Sequence, residues 1–266
     1  MEWMPVGVSV GVTFRRFENG RGETVEGAVV REGLVRLHVN GRELATLMCT
    51  PHQLDLLALG FLRSEGIIAG LADVRLVKVC PSAACVEVWL RRAEFELPGP
   101  PTITSGCGGG VTFADLSAAS QPLASHLRVS VGQLGRLMRA LQDTQRTRGI
   151  HTSALAEDET LLVVVEDVGR HNTIDKLWGY CLVHDISPRD KILLSTGRIS
   201  SEMLNKAARM GTPVVASRTS PTSLSLALAE VWQLTLVGYV RRDSLNVYTA
   251  HERVVESKEE GTDAHL

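Results

Sequence analysis

The second half of the chain alternates short apolar segments with amphipathic helical patterns, and this alternation restricts the folds that it can adopt. The predicted strands cover 151–156, 161–165, 191–195, 213–217 and 234–240, and the later predicted helices cover 173–183, 200–210 and 224–232. Strands that alternate with helices are typical of a layered α/β domain with a partly parallel sheet. Ligands usually bind in the loops that follow the strands of such a sheet.

The first hundred residues favour strands around a single helix, which predicts a small α+β module. Asn40-Gly41 lies between two strand-like runs and predicts a two-residue hairpin turn, because both positions need positive φ. The predicted strands cover 34–39, 43–49, 74–79 and 84–90. The helix predicted between the two strand pairs has apolar residues at helical spacing on one face, namely Leu54, Leu57, Ala58 and Phe61.

Capping residues predict where several helices begin and end. The predicted starts are Thr50 followed by Pro51, Ser130 with Gln133 three residues later, and Ser220 followed by Pro221. A hydroxyl at the cap accepts a hydrogen bond from a free backbone N–H group of the first turn, and proline suits the first helical position. Gly66 and Gly149 are predicted to end the first two helices, because glycine readily adopts the left-handed conformation.

A stretch rich in proline and glycine separates the two halves. It contains Pro98, Pro100 and Pro101 and then T-S-G-C-G-G-G at 104–110. Few side chains there can pack, so we interpret it as a loop between two domains. The predicted division is an N-terminal α+β domain at 1–103, a glycine-rich cysteine loop and linker at 104–127, a C-terminal α/β domain at 128–255 and a charged tail at 256–266.

Charge and hydropathy exclude several classes of protein. The net charge is −2, whereas a general binder of nucleic acid or of a membrane surface is usually basic. No apolar run approaches the roughly 20 residues of a spanning helix, and the first residues lack the pattern of a signal peptide. The five cysteines are odd in number and scattered, at positions 49, 80, 85, 107 and 181. We therefore expect a cytoplasmic protein with reduced cysteines, no disulfide framework, no nucleic-acid partner and no membrane insertion.

Cys107 is the residue with the clearest chemical potential, because its glycine neighbours leave the sulfur sterically open. Sulfur chemistry needs a thiolate that a partner can reach. No Lys, Arg or His lies within seven residues, so its activation must come from backbone N–H groups, the fold or a partner. The alternative is an incidental linker cysteine. Core packing is predicted for Cys49, Cys85 and Cys181, and the spacing of Cys and His predicts no metal site.

Arginines follow several predicted strands of the second half. Arg170 and His171 lie in E-D-V-G-R-H-N, Arg198 in S-T-G-R-I-S-S-E and Arg218 in S-R-T-S-P-T-S, and Arg241 and Arg242 follow the last strand. Each segment alone could serve helix capping, and the last pair could be ordinary surface arginines. Together they place cationic and hydroxyl groups at one edge of a sheet, which suits a phosphate-bearing ligand.

Several long motifs occur in unbroken order between Leu34 and Thr249. They are T-P-H-Q-L-D-L-L-A-L-G-F-L-R-S-E-G-I-I, S-G-C-G, D-V-G-R-H-N-T-I-D-K, S-T-G-R-I-S-S-E-M-L-N-K-A-A-R, A-S-R-T-S-P-T-S-L and L-V-G-Y-V-R-R with N-V-Y-T. In these motifs the chain resembles the FdhD family of formate dehydrogenase accessory proteins, which carry sulfur. The resemblance implies a small N-terminal domain, a cytidine-deaminase-like α/β domain and a homodimer.

The resemblance also implies an activity and its residues. Such proteins accept persulfide sulfur from a cysteine desulfurase and transfer it to the molybdenum cofactor of formate dehydrogenase, a bis(molybdopterin guanine dinucleotide), which GDP or GTP would mimic. The sulfur-carrying cysteine falls on Cys107. The cofactor-binding stretch falls on Tyr239, Val240, Arg241, Arg242, Asp243 and Ser244.

One departure from the family keeps alternatives open. The family loop commonly reads C-G-x-C, and Gly110 occupies the second cysteine position here, so a two-cysteine relay within the loop is impossible. The first alternative is a chaperone that binds the guanine-nucleotide cofactor without moving sulfur. The second is a cysteine hydrolase in which folding brings a base such as His171 to Cys107. A zinc deaminase is not supported, because H-x-E and P-C-x-x-C are absent.

Overall fold

The computed structural model describes residues 7–94, 102–103, 111–112, 122–145 and 147–256. These residues form α-helices and several β-sheets, so the predicted α/β class is confirmed. Cys107 and Gly110 lie outside the described residues, as does most of the predicted loop at 104–127. Of the predicted tail at 256–266, only residue 256 is described.

The first described residues form a two-stranded antiparallel ribbon. It consists of β1 (Ser9–Glu18) and β2 (Arg21–Val30), which join through a turn at Asn19-Gly20 with positive φ angles of 50° and 78°. The ribbon is a sheet of its own, without a ladder to any other described strand.

A four-stranded sheet and one helix follow. The strands are β3 (Gly33–Val39), β4 (Arg42–Cys49), β5 (Val74–Val79) and β6 (Cys85–Leu90), in the spatial order β4-β3-β6-β5. Asn40 and Gly41 have φ angles of 49° and 77°, which confirms the predicted hairpin turn between β3 and β4. Helix α1 (Leu54–Ser64) covers one face of the sheet, and Leu57 and Phe61 pack into the core with Leu37 and Val88.

The predicted start of α1 is wrong. The cap residue is Gln53, which is left-handed and makes no side-chain cap bond. Thr50 is fully buried because it serves another contact: its backbone N–H donates to Asp167 Oδ2 over 3.1 Å, and its Oγ1 accepts from the backbone N–H of Val168. The predicted stop is confirmed, since Gly66 has a φ of 74° directly after the helix.

Two pairs of short strands lie outside the larger sheets. Strands β7 (Thr102–Ile103) and β8 (Val111–Thr112) pair antiparallel. Strand β9 (Val129–Ser130) pairs with β16 (Val254–Val255) near the end of the described chain.

The second half forms a six-stranded sheet between helices. Its strands are β10 (His151–Glu157), β11 (Thr160–Asp167), β12 (Ile192–Ser195), β13 (Val214–Ser217), β14 (Thr235–Gly238) and β15 (Asn246–Val247). The spatial order is β11-β10-β12-β13-β14-β15, and β12, β13 and β14 run parallel, which confirms the predicted partly parallel sheet. The helices are α2 (Val131–Thr144), α3 (Arg170–Val183), α4 (Ser201–Met210) and α5 (Ser223–Trp232).

Apolar residues on the two faces of this sheet form separate cores. Leu193 and Val215 pack with α3, α4 and α5 on one face, whereas Leu194 and Ala216 pack with α2 on the other. Successive strand residues point to opposite faces, so each strand serves both cores.

Some helix ends agree with the capping signals in the sequence and others do not. Ser130 and Gln133 form the predicted capping box of α2, but this helix ends at Thr144, before the predicted stop at Gly149. The cap of α5 is Thr222, in a capping box with Ser225, so the predicted cap Ser220 is wrong. Ser220 belongs to the preceding loop, where its carbonyl oxygen accepts from the N–H of Ile199.

Two glycines let α1 and α3 approach closely. A Cβ atom on Gly60 would overlap the carbonyl oxygen of Asp175, and one on Gly179 would overlap the carbonyl oxygen of Leu56. The partly buried Leu182 packs against both the N-terminal core and the core around α3. The two halves of the chain therefore share a tightly packed helix pair.

The cysteines differ in part from the prediction. Cys80 and Cys85 form a disulfide, which corrects the expectation that all cysteines are reduced and that Cys85 packs as a free thiol. The β5–β6 turn brings these two residues opposite each other, with the Cys80 N–H donating to the Cys85 carbonyl over 3.0 Å. Cys49 and Cys181 are free and buried as predicted, and burial raises their thiol pKa values to about 12 and about 11.

Within the ranges that the structure describes, no helix combines the length and apolarity that crossing a bilayer requires.

Candidate functional site

The predicted ligand-binding segments follow strand ends that lie at one edge of the six-stranded sheet. The carboxyl ends of β11, β12, β13 and β14 meet there with the amino ends of β10 and β15, as the strand directions require. The segments with Arg170, Arg198, Arg218 and Arg241 follow these carboxyl ends. The structure thus brings the predicted arginines to a common edge.

Arg218 and Arg241 lie side by side at the ends of β13 and β14. The guanidinium Nη1 of Arg241 donates to the carbonyl oxygens of Arg218 and Val240, each over 2.9 Å. Burial and the neighbouring Arg241 lower the pKa of Arg218. Among the described residues, no carboxylate pairs with either arginine, so their charge is available to an external anion.

The backbone of the predicted cofactor-binding segment is held firmly. Val240 is fully buried, and its N–H donates to the Ser217 carbonyl over 3.0 Å. Tyr239 has a φ of 53° and an exposed ring, and its N–H donates to the Thr219 carbonyl. The Arg241 N–H donates to the Ser244 carbonyl over 2.8 Å, which closes a tight turn.

Helix α2 packs closely against this turn. A Cβ atom on Gly135 would lie 2.3 Å from the carbonyl oxygen of Arg242, so only glycine allows the approach. Arg242 and Asp243 point outward, and their side chains are 3.7 Å apart and exposed. These two predicted residues remain accessible to a ligand.

A second cationic group lies farther along the same edge. His151, the first residue of β10, was not among the predicted site residues, because a lone histidine in a strand gives no chemical signal. Burial lowers its pKa, and the nearby Arg170 and Arg198 lower it further. Arg198 is exposed, whereas Arg170 is buried beside Gly197. The edge therefore carries positive charge at both ends.

Many of the predicted hydroxyl groups serve the fold instead of a ligand. Ser217 Oγ donates to the Gly197 carbonyl over 2.6 Å, and Ser195 Oγ accepts from the Gly197 N–H. Ser153 Oγ lies 2.7 Å from Thr173 Oγ1 and 3.1 Å from Ser195 Oγ. These bonds fix the loops that present the arginines.

His171 is not free to act as a base for a thiol. Its Nε2 is 2.8 Å from Ser200 Oγ, and its Nδ1 is 3.2 Å from Glu202 Oε2. Burial, with the nearby cations Lys206 and Arg170, lowers its pKa to about 2. The ring is buried, with Nε2 beside the Ser200 hydroxyl and Nδ1 beside the Glu202 carboxylate, so this geometry gives no support to a cysteine hydrolase that uses His171 as its base.

The segment before α3 joins the two halves of the chain. Asp167 accepts from Lys176 over 2.7 Å and from the N–H of Gly169 and the side chain of Asn172, each over 2.8 Å. Asn172 also donates to the Met48 carbonyl. Lys176 was missed by the sequence reasoning, since nothing local marks a lysine as buried. In the described ranges, no group of three or more His, Cys, Asp or Glu residues could hold a metal ion.

Two relatives of known name are similar to this chain over most of its length. A sulfur carrier protein FdhD from Bacillus pumilus is 40% identical over 238 residues, which cover 86% of this chain and 90% of the relative. Another from Bacillus subtilis is 38% identical over 251 residues, covering 91% and 95%.

A solved structure is similar over almost the whole chain. It is the crystal structure of a protein from Desulfotalea psychrophila that was assigned as a formate dehydrogenase accessory protein. The two share 28% identity with a TM-score of 0.78, covering 94% of this chain and 100% of the other. Because the model of the FdhD/NarQ family also matches residues 30–255, the chain belongs to that family.

Proposed function

We propose that the protein is a sulfur carrier that takes persulfide sulfur onto Cys107 and passes it to the molybdenum cofactor of formate dehydrogenase. The observation that carries the proposal is the pair Arg218 and Arg241: the Arg241 guanidinium donates to the Arg218 carbonyl, its charge lowers the pKa of Arg218, and neither arginine has a carboxylate partner among the described residues. A guanine dinucleotide cofactor carries pyrophosphate groups, and paired guanidinium groups bind such anions. The names of the relatives support the sulfur-carrier role.

In the proposed step, the Cys107 thiolate attacks the terminal sulfur of a persulfide on a cysteine desulfurase. The sulfur–sulfur bond of the donor breaks, a new one forms on Cys107, and the donor leaves as a thiolate, so no external oxidant or reductant is needed. The cofactor is a substrate held at the strand-end edge by Tyr239–Ser244, with Arg218 and Arg241 neutralising its phosphates.

Mass spectrometry tests the first half of this proposal. Incubation with a cysteine desulfurase and cysteine should add about 32 Da, the mass of one sulfur atom, to the peptide that contains Cys107. The Cys107→Ala variant should gain nothing on that peptide. An unmodified wild-type peptide would show that the protein carries no sulfur on this residue.

Calorimetry with GDP tests the second half. The variant with Arg218→Ala and Arg241→Ala should bind GDP at least about tenfold more weakly, because each charge-assisted hydrogen bond contributes on the order of 2 kcal/mol. Arg189→Ala is the matched control, since Arg189 precedes β12 at the opposite edge of the sheet. Equal affinities for all three proteins would remove the cofactor site from this edge.

The second candidate function is escort of the cofactor without sulfur transfer, which Gly110 in place of a second loop cysteine favours. Cys107→Ala separates the two functions. A carrier with this substitution should still bind GDP but fail to activate formate dehydrogenase, whereas an escort protein should retain both properties.

A further inference from the structure

The disulfide between Cys80 and Cys85 lies on the face of the four-stranded sheet that points away from α1. Successive strand residues point to opposite faces, and Val86 of β6 is buried in the core that α1 covers. Cys85 therefore belongs to the other face, and Cys80 reaches it across the β5–β6 turn. Both cysteines are only partly buried, whereas the free Cys49 and Cys181 are buried. A small nucleophile can reach this disulfide from solvent.

Backbone hydrogen bonds hold the two cysteines together independently of the disulfide. The Cys80 N–H donates to the Cys85 carbonyl, and the Ala83 N–H donates to the Cys80 carbonyl over 2.9 Å. Ala83 is buried in the N-terminal core and anchors the turn, and the strand ladder begins beside it at Val79–Val86. If the disulfide opens, its two sulfur atoms stay close to each other, so the bond can close again within the chain.

Two cationic side chains flank the disulfide on the same face. Arg36 of β3 is paired with Cys85 in the parallel ladder, so the two side chains are neighbours. Lys78 lies on β5 two residues before Cys80. Both cations are exposed, and within the described ranges neither forms a salt bridge with a carboxylate. A cation beside a cysteine stabilises its thiolate and attracts an anionic nucleophile.

The carboxylate of this part of the face does not cancel that charge. Glu87 follows Cys85 by two residues on β6, and its Oε1 lies 3.7 Å from Nδ1 of His38. Its closest cationic neighbour in the ladder is thus the histidine on β3, and Arg36 remains available to the sulfur of Cys85.

We propose that this disulfide is a second sulfur-accepting site, which hydrosulfide opens to a persulfide on Cys80. The hydrosulfide sulfur attacks Sγ of Cys80, the bond between the two cysteines breaks, and Cys85 leaves as a thiolate beside Arg36. The electron pair of the incoming sulfur forms the new bond, and the pair of the old bond leaves on Cys85. The disulfide is therefore the oxidant, and no other oxidant or reductant is needed. Cys85 is the leaving group because the thiol of lower pKa leaves faster.

The step is reversible and independent of the glycine-rich loop. The Cys85 thiolate can attack Sγ of Cys80 again, which releases hydrosulfide and restores the disulfide. Free sulfide supplies the sulfur atom, so this site needs neither Cys107 nor a cysteine desulfurase. Either proposal can therefore fail without the other.

Mass spectrometry of the full chain with Cys107→Ala tests the proposal, because this variant carries no sulfur on the loop. The oxidised protein is incubated with sodium sulfide, and its thiols and persulfides are then alkylated. Cys80 should carry about 32 Da, the mass of one sulfur atom, in addition to the alkyl group, and Cys85 should carry the alkyl group alone. A disulfide that stays intact, or sulfur on Cys85, would overturn the proposal.

Cys85→Ser is the first control, because it removes the disulfide and leaves Cys80 as a thiol. A thiol cannot accept the electron pair of hydrosulfide, so Cys80 should gain no sulfur in this variant. Equal labelling would mean that an oxidised impurity of the reagent delivers the sulfur, and it would refute the proposed step.

The rate of the reaction tests the role of the cation. Arg36→Gln should slow the opening of the disulfide at least about threefold, because the charge beside the leaving thiolate is lost. Arg42→Gln is the matched control, since Arg42 is exposed on β4, which is not adjacent to β6 in the sheet. Equal rates for the two variants would show that Arg36 does not assist the departure of Cys85, against the proposal.

Discussion

The carboxylate of Asp167 lies 2.7 Å from the ammonium group of Lys176, and neither side chain has any exposed surface. The Lys176 ammonium also donates to the carbonyl oxygens of Thr50 and Glu166, and Asp167 Oδ2 accepts from the Thr50 N–H. The ion pair thus connects the end of β4 with the end of β11 and the first turns of α3. It holds the N-terminal sheet against the edge that carries the arginines.

Loss of one partner of this pair should be costly. Lys176→Met leaves a buried carboxylate without its cation, so the free energy of unfolding should fall by about 3–5 kcal/mol. Arg136→Met is the control, because the exposed Arg136–Glu159 pair should contribute less than about 1 kcal/mol. Urea unfolding measures both. Similar losses for the two variants would mean that the buried pair does not hold the halves together.

The close approach of α1 and α3 gives a second prediction. Gly60→Ala should lower the free energy of unfolding by about 3 kcal/mol, because the added methyl group overlaps the Asp175 carbonyl. Gly70→Ala should change it little, since a Cβ atom there meets nothing within 4 Å. Thermal unfolding of the two variants distinguishes the outcomes, and an unchanged Gly60→Ala protein would contradict the tight helix pair.

The prediction of local structure succeeded only in part, since the cap Ser220 and the stop at Gly149 were wrong although both signals are local. The capping box of Ser130 and Gln133 and the turn at Asn40-Gly41 have the predicted geometry, because both depend on neighbouring backbone groups. Threonine is a residue type that often caps helices, yet the hydrogen-bond partner of Thr50 is Asp167, which lies 117 residues away in the sequence. A contact of that separation leaves no trace in a single sequence.

In the candidate site too, some features could be predicted from the sequence and others depend on contacts between distant residues. The arginines could be placed at strand ends from the pattern of strands and helices, because parallel strands end at one edge. The pairing of Arg218 with Arg241 and the burial of His171 depend on how the strands are ordered in the sheet. The disulfide between Cys80 and Cys85 was missed because scattered cysteines give no connectivity. The roles of Cys107 and of the domain boundaries at 103 and 127 remain predictions.

Stability should depend on pH through His171. Its pKa of about 2 lies below the ordinary value of 6.5, so the unfolded chain binds more protons between these values. The stability that the neutral His171 contributes to the fold is fully present above pH 6.5, and it falls by up to about 1.4 kcal/mol per pH unit as the pH decreases. Burial raises the pKa of Asp175 to about 6, although the nearby Lys206 ammonium lowers it. The folded chain therefore binds this proton more tightly than the unfolded chain does, so Asp175 adds stability as the pH falls below 6.

The difference between wild type and His171→Asn isolates the histidine, because Asp175 is present in both. Urea unfolding from pH 7 to pH 5 should show a steeper loss of stability in the wild type. His251→Asn, at an exposed position, should retain the wild-type slope. If the free energy of unfolding changes with pH by the same slope in all three proteins, His171 is protonated in the folded state as it is in the unfolded chain.

The Cys80–Cys85 disulfide should be measurable by thiol titration of the unfolded chain. Five cysteines less this pair leave three free thiols, at positions 49, 107 and 181. Cys80→Ser should lower the free energy of unfolding by about 2 kcal/mol, as expected for closure of such a short loop. A reductant should lower wild-type stability to the same level and leave the variant unchanged. Five free thiols in the wild type would exclude the disulfide.

The contact between Gly135 and the Arg242 carbonyl ties cofactor affinity to helix α2. Gly135→Ala forces the turn after β14 outward, so GDP affinity should fall by about tenfold, or about 1.4 kcal/mol. Gly60→Ala introduces a similar overlap far from this turn and should retain GDP affinity while losing stability. Calorimetry at a temperature where both variants are folded compares them. If Gly135→Ala binds GDP as the wild type does, the nucleotide does not depend on the position of residues 241 and 242.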